Sequence, residues 1–321
     1  MNPSDLDRIW NPRYPLTLLE KRDFVRLAMV SLLITSGFAL FHFLGSIQPG
    51  NWGRSALVWL VHRWGDQGIS MGSGDYSHGF LVPVASLYVA WMQRDHLIRA
   101  PKRVSAVGLL LVCLSLFGHY VGVKSELHRF SILSLIGLCW SVPYYLFGWQ
   151  VAKRLIFPFC FLLFAVPLNF LDNLTFPLRI VNTQVSVAVL QSIGLDVRQV
   201  GSAIYGPPYN ASATLKLDVA DPCSGIRSLT AMMAGTAIYG YVILSSLWRK
   251  WVLFLAAIPL AMAGNIFRIV SITILAEAIN PRIATGLTHD YAGFIVFGFA
   301  ITLMVGLCIL LQHDFKRRSP A

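Results

Sequence analysis

Asp221-Pro222-Cys223-Ser224-Gly225-Ile226-Arg227 sits where a polar, strand-like segment gives way to a long apolar run. Upstream, Ala211 to Val219 alternates small or polar with apolar residues. Downstream, Ile226 to Leu247 is nearly all apolar and long enough for a membrane span of about 20 residues. The heptapeptide therefore marks a water–bilayer border at the start of a helix. A thiol there meets the partial positive charge and unpaired N–H groups of the helix N-terminus, which favour thiolate. Of the five cysteines, only Cys223 has such a position; Cys113, Cys139, Cys160 and Cys308 lie inside apolar runs, where a thiol acts as a small hydrophobe. A disulfide framework is not expected.

Working outward, the same pattern recurs along the chain. With 55% hydrophobic and 13% charged residues and a mean hydropathy of +0.61, the 321 residues read as membrane spans rather than soluble domains. Apolar runs begin at about Leu27, His78, Val104, Phe130, Leu155, Ile226, Val252 and Tyr291, and end at about Leu44, Met92, Val121, Phe147, Leu171, Leu247, Leu275 and Leu311. The expectation is an all-α integral membrane protein of eight transmembrane helices. Residues 1–26 form a cytoplasmic tail, 27–311 one polytopic domain, and 312–321 a basic cytoplasmic tail. Asp172 to Gly194 is more polar and is read as interfacial or tilted. Leu195 to Val219, with Gly206-Pro207-Pro208 as a turn, is read as a small extracytoplasmic β-hairpin or loop region before the sixth helix. The net charge of +11 is topological in this reading, because positive charge collects in cytoplasmic loops. The short inner segments hold 16 of the 26 lysines and arginines, which agrees at every turn. Nucleic acid is not an expected partner.

Span counting then brings three chemically complementary residues to one leaflet. Cys223 starts the sixth span at the outer face, Arg268 lies one to two turns below the outer end of the seventh, and His289 just precedes the eighth. A thiolate is a nucleophile that nearby cations stabilise. Histidine exchanges protons near neutral pH. Arginine stabilises an oxyanion or holds a carbonyl, and inside a span it is costly enough to face the bundle interior. Asn265 lies one turn from Arg268 and shares its face. Plainer readings compete: Arg268 pairing with Glu277 or snorkelling, Arg227 binding headgroups, and His78, His119 and His128 as solvated or capping residues. Ser224 lacks the Gly-x-Ser-x-Gly surroundings of a serine nucleophile. No metal site is expected, since Cys223 and His289 supply only two good ligands beside an arginine.

At these residues the sequence resembles the exosortase/archaeosortase family of integral-membrane cysteine transpeptidases. Cys223-Ser224-Gly225 with Arg227-Ser228-Leu229 resembles the cysteine motif, Asn265-Ile266-Phe267-Arg268-Ile269 the Asn-x-x-Arg motif, and His289-Asp290 with Gly293 the histidine motif. Asp75-Tyr76-Ser77-His78-Gly79-Phe80-Leu81-Val82-Pro83 resembles the amino-terminal signature, and Phe157-Pro158 through Val166-Pro167-Leu168 the proline-bounded fifth segment. The exosortase-like core spans about 70–311. The resemblance implies Cys223 as nucleophile, Arg268 as stabiliser of thiolate or transition state, and His289 as acid/base. Ser224, Gly225, Arg227, Asn265, Asp290, Tyr76 and His78 are supporting or substrate-binding. It implies no cofactor. The implied substrate is a secreted protein with a C-terminal tail of short motif, transmembrane stretch and basic end. Such a protein would be cleaved through a thioacyl enzyme and transferred to an acceptor at the cell surface, an exopolysaccharide or a lipid. The implied place is the bacterial inner membrane, with the site facing the periplasm. The rival readings are a transporter or flippase for a lipid-linked saccharide, which needs charge along a path that the inner halves of the spans lack, and a non-catalytic scaffold of polysaccharide export.

Overall fold

The computed structural model describes residues 21–47, 53–65, 73–167, 170–207, 216–218, 226–278 and 287–316. It is mostly helical and divides into two compact units, Met1–Leu168 and Asn169–Ala321. Among the described residues, four helical stretches are long and apolar enough to cross a membrane: Arg22–Phe43, Ala106–Lys124, His128–Phe147 and Leu247–Ala278.

The first unit contains α1 (Lys21–Phe43), α2 (Ala56–Gly65), a 3-10 segment (Ser73–Phe80), α3 (Leu81–Met92), α4 (Arg94–Arg99), α5 (Ala106–Lys124), α6 (His128–Phe147), α7 (Trp149–Phe161) and a 3-10 turn (Leu162–Ala165). Glycines let α5 and α6 approach closely: a Cβ at Gly108 would strike the backbone of Tyr145, and one at Gly122 the backbone nitrogen of Ser131. His119 is buried in this seam, with Nδ1 2.8 Å from the Ser131 hydroxyl and its ring 3.8 Å from that of Phe41. It is a core histidine.

The polar contacts of this unit sort into two ends. At one, Lys102 donates to Asp23 at the start of α1 (2.7 Å), Arg103 N donates to Phe147 O at the end of α6 (3.1 Å), and a cavity is lined by His96, Arg99, Lys153 and Arg154. These groups lie at the start of α1 and around the turns after Met92 and Phe147, whose lysines and arginines are among those counted as inner above. At the other end, His42 lies 2.9 Å from the Ser55 hydroxyl and His128 stacks on Trp59. There Trp64 and His78 reach the 3-10 turn after α7.

Two runs read as spans are less regular than expected. The second is a 12-residue α-helix behind an eight-residue 3-10 segment, Ser73–Phe80, where glycines at 74 and 79 disfavour a continuous α-helix. The fifth starts earlier, at Trp149, and gives way to 3-10 geometry at Leu162, between Pro158 and Pro167. The Ser86 hydroxyl donates to Pro158 O (2.8 Å), which ties α3 to α7.

The second unit contains α8 (Phe170–Ser192), β1 (Arg198–Val200), β2 (Ala203–Tyr205), β3 (Lys216–Asp218), α9 (Ile226–Ile243), α10 (Leu247–Leu255), α11 (Ala257–Ala278) and α12 (Leu287–Lys316). The polar segment after the fifth run is thus a 23-residue helix, α8, and the region that follows holds three antiparallel strands in the order β1-β2-β3. The additional turn is Gly201-Ser202, with Val200 opposite Ala203 and Gly201 at φ 65°, a conformation glycine adopts without cost. Two apolar clusters build the unit. Val187 and Leu190 of α8, Val197, Ile204 and Leu217 of the sheet region, and Ile269, Ile272 and Ala276 of α11 form one. Met232 of α9, Leu253 of α10, Ala257 and Ala261 of α11, and Ala300, Met304 and Cys308 of α12 are the main members of the other.

Candidate active site

α11 joins the two clusters and carries the two described residues of the Asn-x-x-Arg motif. Its buried positions, Ala257, Ala261, Gly264, Asn265, Ile269, Ile272, Thr273 and Ala276, follow the three-and-four spacing of one helix face. Asn265 falls four residues after Ala261, in one cluster, and four before Ile269, in the other. The motif is therefore a polar layer between two apolar ones. Asn265 is only 4% exposed, and its Nδ2 has no hydrogen-bond partner among the described residues. A buried amide donor left open costs about 1–3 kcal/mol, so its retention needs a reason beyond packing. Arg268 is half-buried and lies three residues on, at the edge of the same face.

The position of Arg268 along α11 follows from the helix itself. α11 continues past Leu275 to Ala278, so Arg268 lies ten residues, about 15 Å, from its end. That is nearly three turns along the helix. Packing fixes the register against α12. Ala257 and Ala261 share a cluster with Ala300, Met304 and Cys308, while Phe267 stacks on Phe299 with ring centroids 4.9 Å apart, so the helices are antiparallel. From the Phe267–Phe299 level, Arg268 lies about 1.5 Å toward the end of α11. His289, ten residues before Phe299 on α12, lies about 15 Å the same way.

His289 and Asp290 are on the first turn of α12, and Arg227 is on the first turn of α9. The link Leu244–Ser246 turns the chain back between α9 and α10. The start of α9, the end of α11 and the start of α12 consequently lie at one end of this unit. Cys223, Ser224 and Gly225 lie outside the described residues; in the chain, Cys223 comes five residues after β3 and three before α9.

Tyr76 and His78 belong to the first unit. His78 Nε2 lies 3.1 Å from Phe164 O; a carbonyl only accepts, so that nitrogen carries the proton and donates. Trp64 Nε1 donates to the next carbonyl, Ala165 O, at 2.7 Å. Carbonyls freed where α7 ends are thus satisfied by two side chains from earlier in the chain. The bond gives His78 a capping role, and its buried Nδ1 keeps an acceptor position with no partner among the described residues. Tyr76 is buried, with its ring 5.9 Å from that of His78.

Asn182 of α8 is a residue that sequence reasoning misses. It is 3% exposed, and its Oδ1 has no hydrogen-bond partner among the described residues. The signal that could find it is Asn182, Thr183 and Ser186, polar residues at helical spacing immediately before Val187 and Leu190.

A family model for transmembrane exosortases matches residues 64–306, a range that runs from Trp64 through the cysteine, Asn-x-x-Arg and histidine motifs. No curated protein and no solved structure matches the chain.

Proposed function

We propose that this chain, which belongs to the transmembrane exosortase family, is a multi-pass cysteine transpeptidase that cleaves and transfers secreted proteins bearing a C-terminal sorting tail. The observation that carries the reading is the family match over residues 64–306, within which Cys223, Arg268 and His289 all fall. The placement of Asn265 and Arg268 in a polar layer between apolar clusters supports it, since a chargeable side chain kept at that depth is expected to serve a site.

In this reading the chain crosses the inner membrane eight times, with the sheet and the start of α9 on the periplasmic side. The Cys223 thiolate attacks the carbonyl carbon of the scissile peptide bond, and the carbonyl electrons move onto oxygen. Arg268 stabilises that charge or the thiolate before it. Collapse of the adduct breaks the C–N bond, and the departing amine takes a proton from His289. The result is a thioester on Cys223. An O–H or N–H nucleophile of a surface acceptor, an exopolysaccharide or a lipid, then attacks it and gives its proton to His289 as the C–S bond breaks. Ser224, Gly225, Arg227 and Asp290 support the site around these groups.

The test is processing of a co-expressed secreted protein carrying a library of tails, each a randomised motif, an apolar stretch and a basic end. Wild type is expected to shorten a subset of tails, and mass spectrometry to find a thioester on Cys223. Cys223→Ala and Cys223→Ser are expected to insert in the membrane and cleave none. Normal processing by Cys223→Ala would remove the nucleophile assignment.

A further inference from the structure

Asn182 and Asn265 are both almost fully buried, belong to the same unit and sit on helices that each bound the sheet-side cluster. Their open atoms are complementary: Asn182 offers an acceptor, Oδ1, and Asn265 a donor, Nδ2. Both helices give their C-terminal halves to that cluster, α8 through Val187 and Leu190, α11 through Ile269, Ile272 and Ala276. Counting back from the first member on each, Asn182 is about 7.5 Å before Val187 and Asn265 about 6 Å before Ile269. Both amides therefore border the sheet-side cluster within two turns of its first member on each helix, with Arg268 one turn from Asn265.

The neighbours of Asn182 are satisfied within the fold. Thr183 donates to Arg179 O (2.9 Å), and Ser186 donates to the backbone carbonyl of Asn182 (2.7 Å). Gln191 donates to Val197 O (2.9 Å). Only the side-chain carbonyl of Asn182 is left over on this face among the described residues. One buried acceptor and one buried donor, both open, match the N–H and C=O of an extended peptide backbone, which a folded helix cannot offer because its groups are already paired.

We infer that Asn182 is a substrate-positioning residue: with Asn265 it clamps the backbone of the extended sorting motif, Asn182 Oδ1 accepting a peptide N–H and Asn265 Nδ2 donating to a peptide carbonyl beside Arg268. This rests on the transpeptidase reading and deepens it. The clamp reads backbone rather than side chains, so it sets the register of the motif and leaves its sequence to other contacts. It also requires the motif to be unwound, which a scissile bond must be to admit a thiolate.

The test uses the full-length protein in detergent, the tail recovered by the processing screen, and ester analogues of that tail in which one peptide N–H at a time is replaced by oxygen. Asn182→Leu keeps the branch at Cγ with a larger volume and removes the acceptor, and Asn182→Ala removes it with no overpacking. If the acceptor is held open for substrate, neither variant loses a bond inside the fold, so at least one of the two melts close to wild type. On the parent tail the kcat/KM of Asn182→Leu falls about 10- to 100-fold, mostly through KM. On the one ester analogue that lacks the clamped N–H, wild type and Asn182→Leu differ by less than about 3-fold. A clearly lower melting midpoint for both variants, or an equal loss on every ester analogue, would assign Asn182 a structural bond and overturn the inference. Wild-type kinetics from both variants would also overturn it. Binding of the fluorescein-labelled tail to Cys223→Ala, with and without Asn182→Leu, separates the clamp from the chemistry. Cleavage by Cys223→Ala would end the thioacyl reading while the binding and melting comparisons still decide the clamp.

Discussion

Gly79→Ala perturbs the junction that holds the 3-10 segment, α2 and the end of α7 together. A Cβ at Gly79 would overlap the indole of Trp64, whose Nε1 donates to Ala165 O at 2.7 Å. To admit the methyl group the indole must turn away, and the carbonyl loses its donor. Overpacking of this kind costs about 1–3 kcal/mol, and the lost bond adds about 1 kcal/mol. A total of about 2–4 kcal/mol corresponds to a fall in melting midpoint on the order of 5–10 °C for a unit of this size. Trp64→Phe removes the donor and shrinks the ring, so it has its own cost of about 1–2 kcal/mol. The two changes must then be non-additive: once the smaller ring of Trp64→Phe makes room, Gly79→Ala adds less than about 1 kcal/mol. The assay is thermal unfolding of the purified protein in one detergent, read by intrinsic fluorescence and by near-UV circular dichroism, for wild type, both single variants and the double variant. Strict additivity, or a Gly79→Ala midpoint equal to that of wild type, would refute the contact. His78 adjoins Gly79 and caps Phe164 O, so processing is expected to fall along with stability.

Three further outcomes are expected. Arg268→Gln should retain membrane insertion and lower the processing rate about 10²- to 10³-fold, as loss of an oxyanion donor does, with Arg268→Lys intermediate; rates close to that of wild type for both would leave it a lipid-facing cation. Asp23→Asn should destabilise the protein by about 2–4 kcal/mol by leaving the half-buried Lys102 ammonium unpaired, and Asp23→Leu with Lys102→Leu should recover most of that in thermal melts. A cysteine at Glu126 should react with a membrane-impermeant maleimide in intact spheroplasts, whereas one at Ala100 should react only after permeabilisation, since these turns lie at opposite ends of the first unit; the reverse pattern would invert the topology.

The parts legible from sequence are those where one signal dominates. α1, α5 and α6 coincide with uninterrupted apolar runs, and nothing inside those runs competes with a helix of membrane length. The second and fifth runs are less legible. Hydropathy averages over the glycines at 74 and 79 and the prolines at 158 and 167, which set the local backbone without changing the mean. The three-stranded sheet reads as one hairpin in sequence because β1 and β2 are three residues each, too short for alternation to register, and Gly201-Ser202 is a weaker turn signal than Gly206-Pro207-Pro208. α8 is hidden by its Asn, Gln and Thr residues, which look interfacial in sequence although Asn182, Thr183 and Ser186 are buried. At the candidate site, the shared face of Asn265 and Arg268 follows from spacing alone. The open amides do not, because satisfaction of a buried polar atom depends on partners remote in sequence.

The axial register of α11 and α12 bears on how labour is divided along the site. With the Phe267–Phe299 stack as reference, the levels of Arg268 and His289 differ by about 13 Å along the helix pair. An offset of that size is about two and a half helical turns, so the two residues stand at different levels of the helix pair. An extended peptide covers about 13 Å in four residues. A sorting motif lying along α11 would have its deeper part beside Arg268 and Asn265 and its shallower part beside the start of α12. On that arrangement the scissile bond lies between the two levels, with His289 serving its leaving amine and Arg268 its carbonyl oxygen. The two roles then separate kinetically: Arg268→Gln should weaken tail binding to a Cys223→Ala enzyme, whereas His289→Ala should leave binding intact and slow thioester formation. Equal weakening of binding by both would place the two residues at one level and contradict the register.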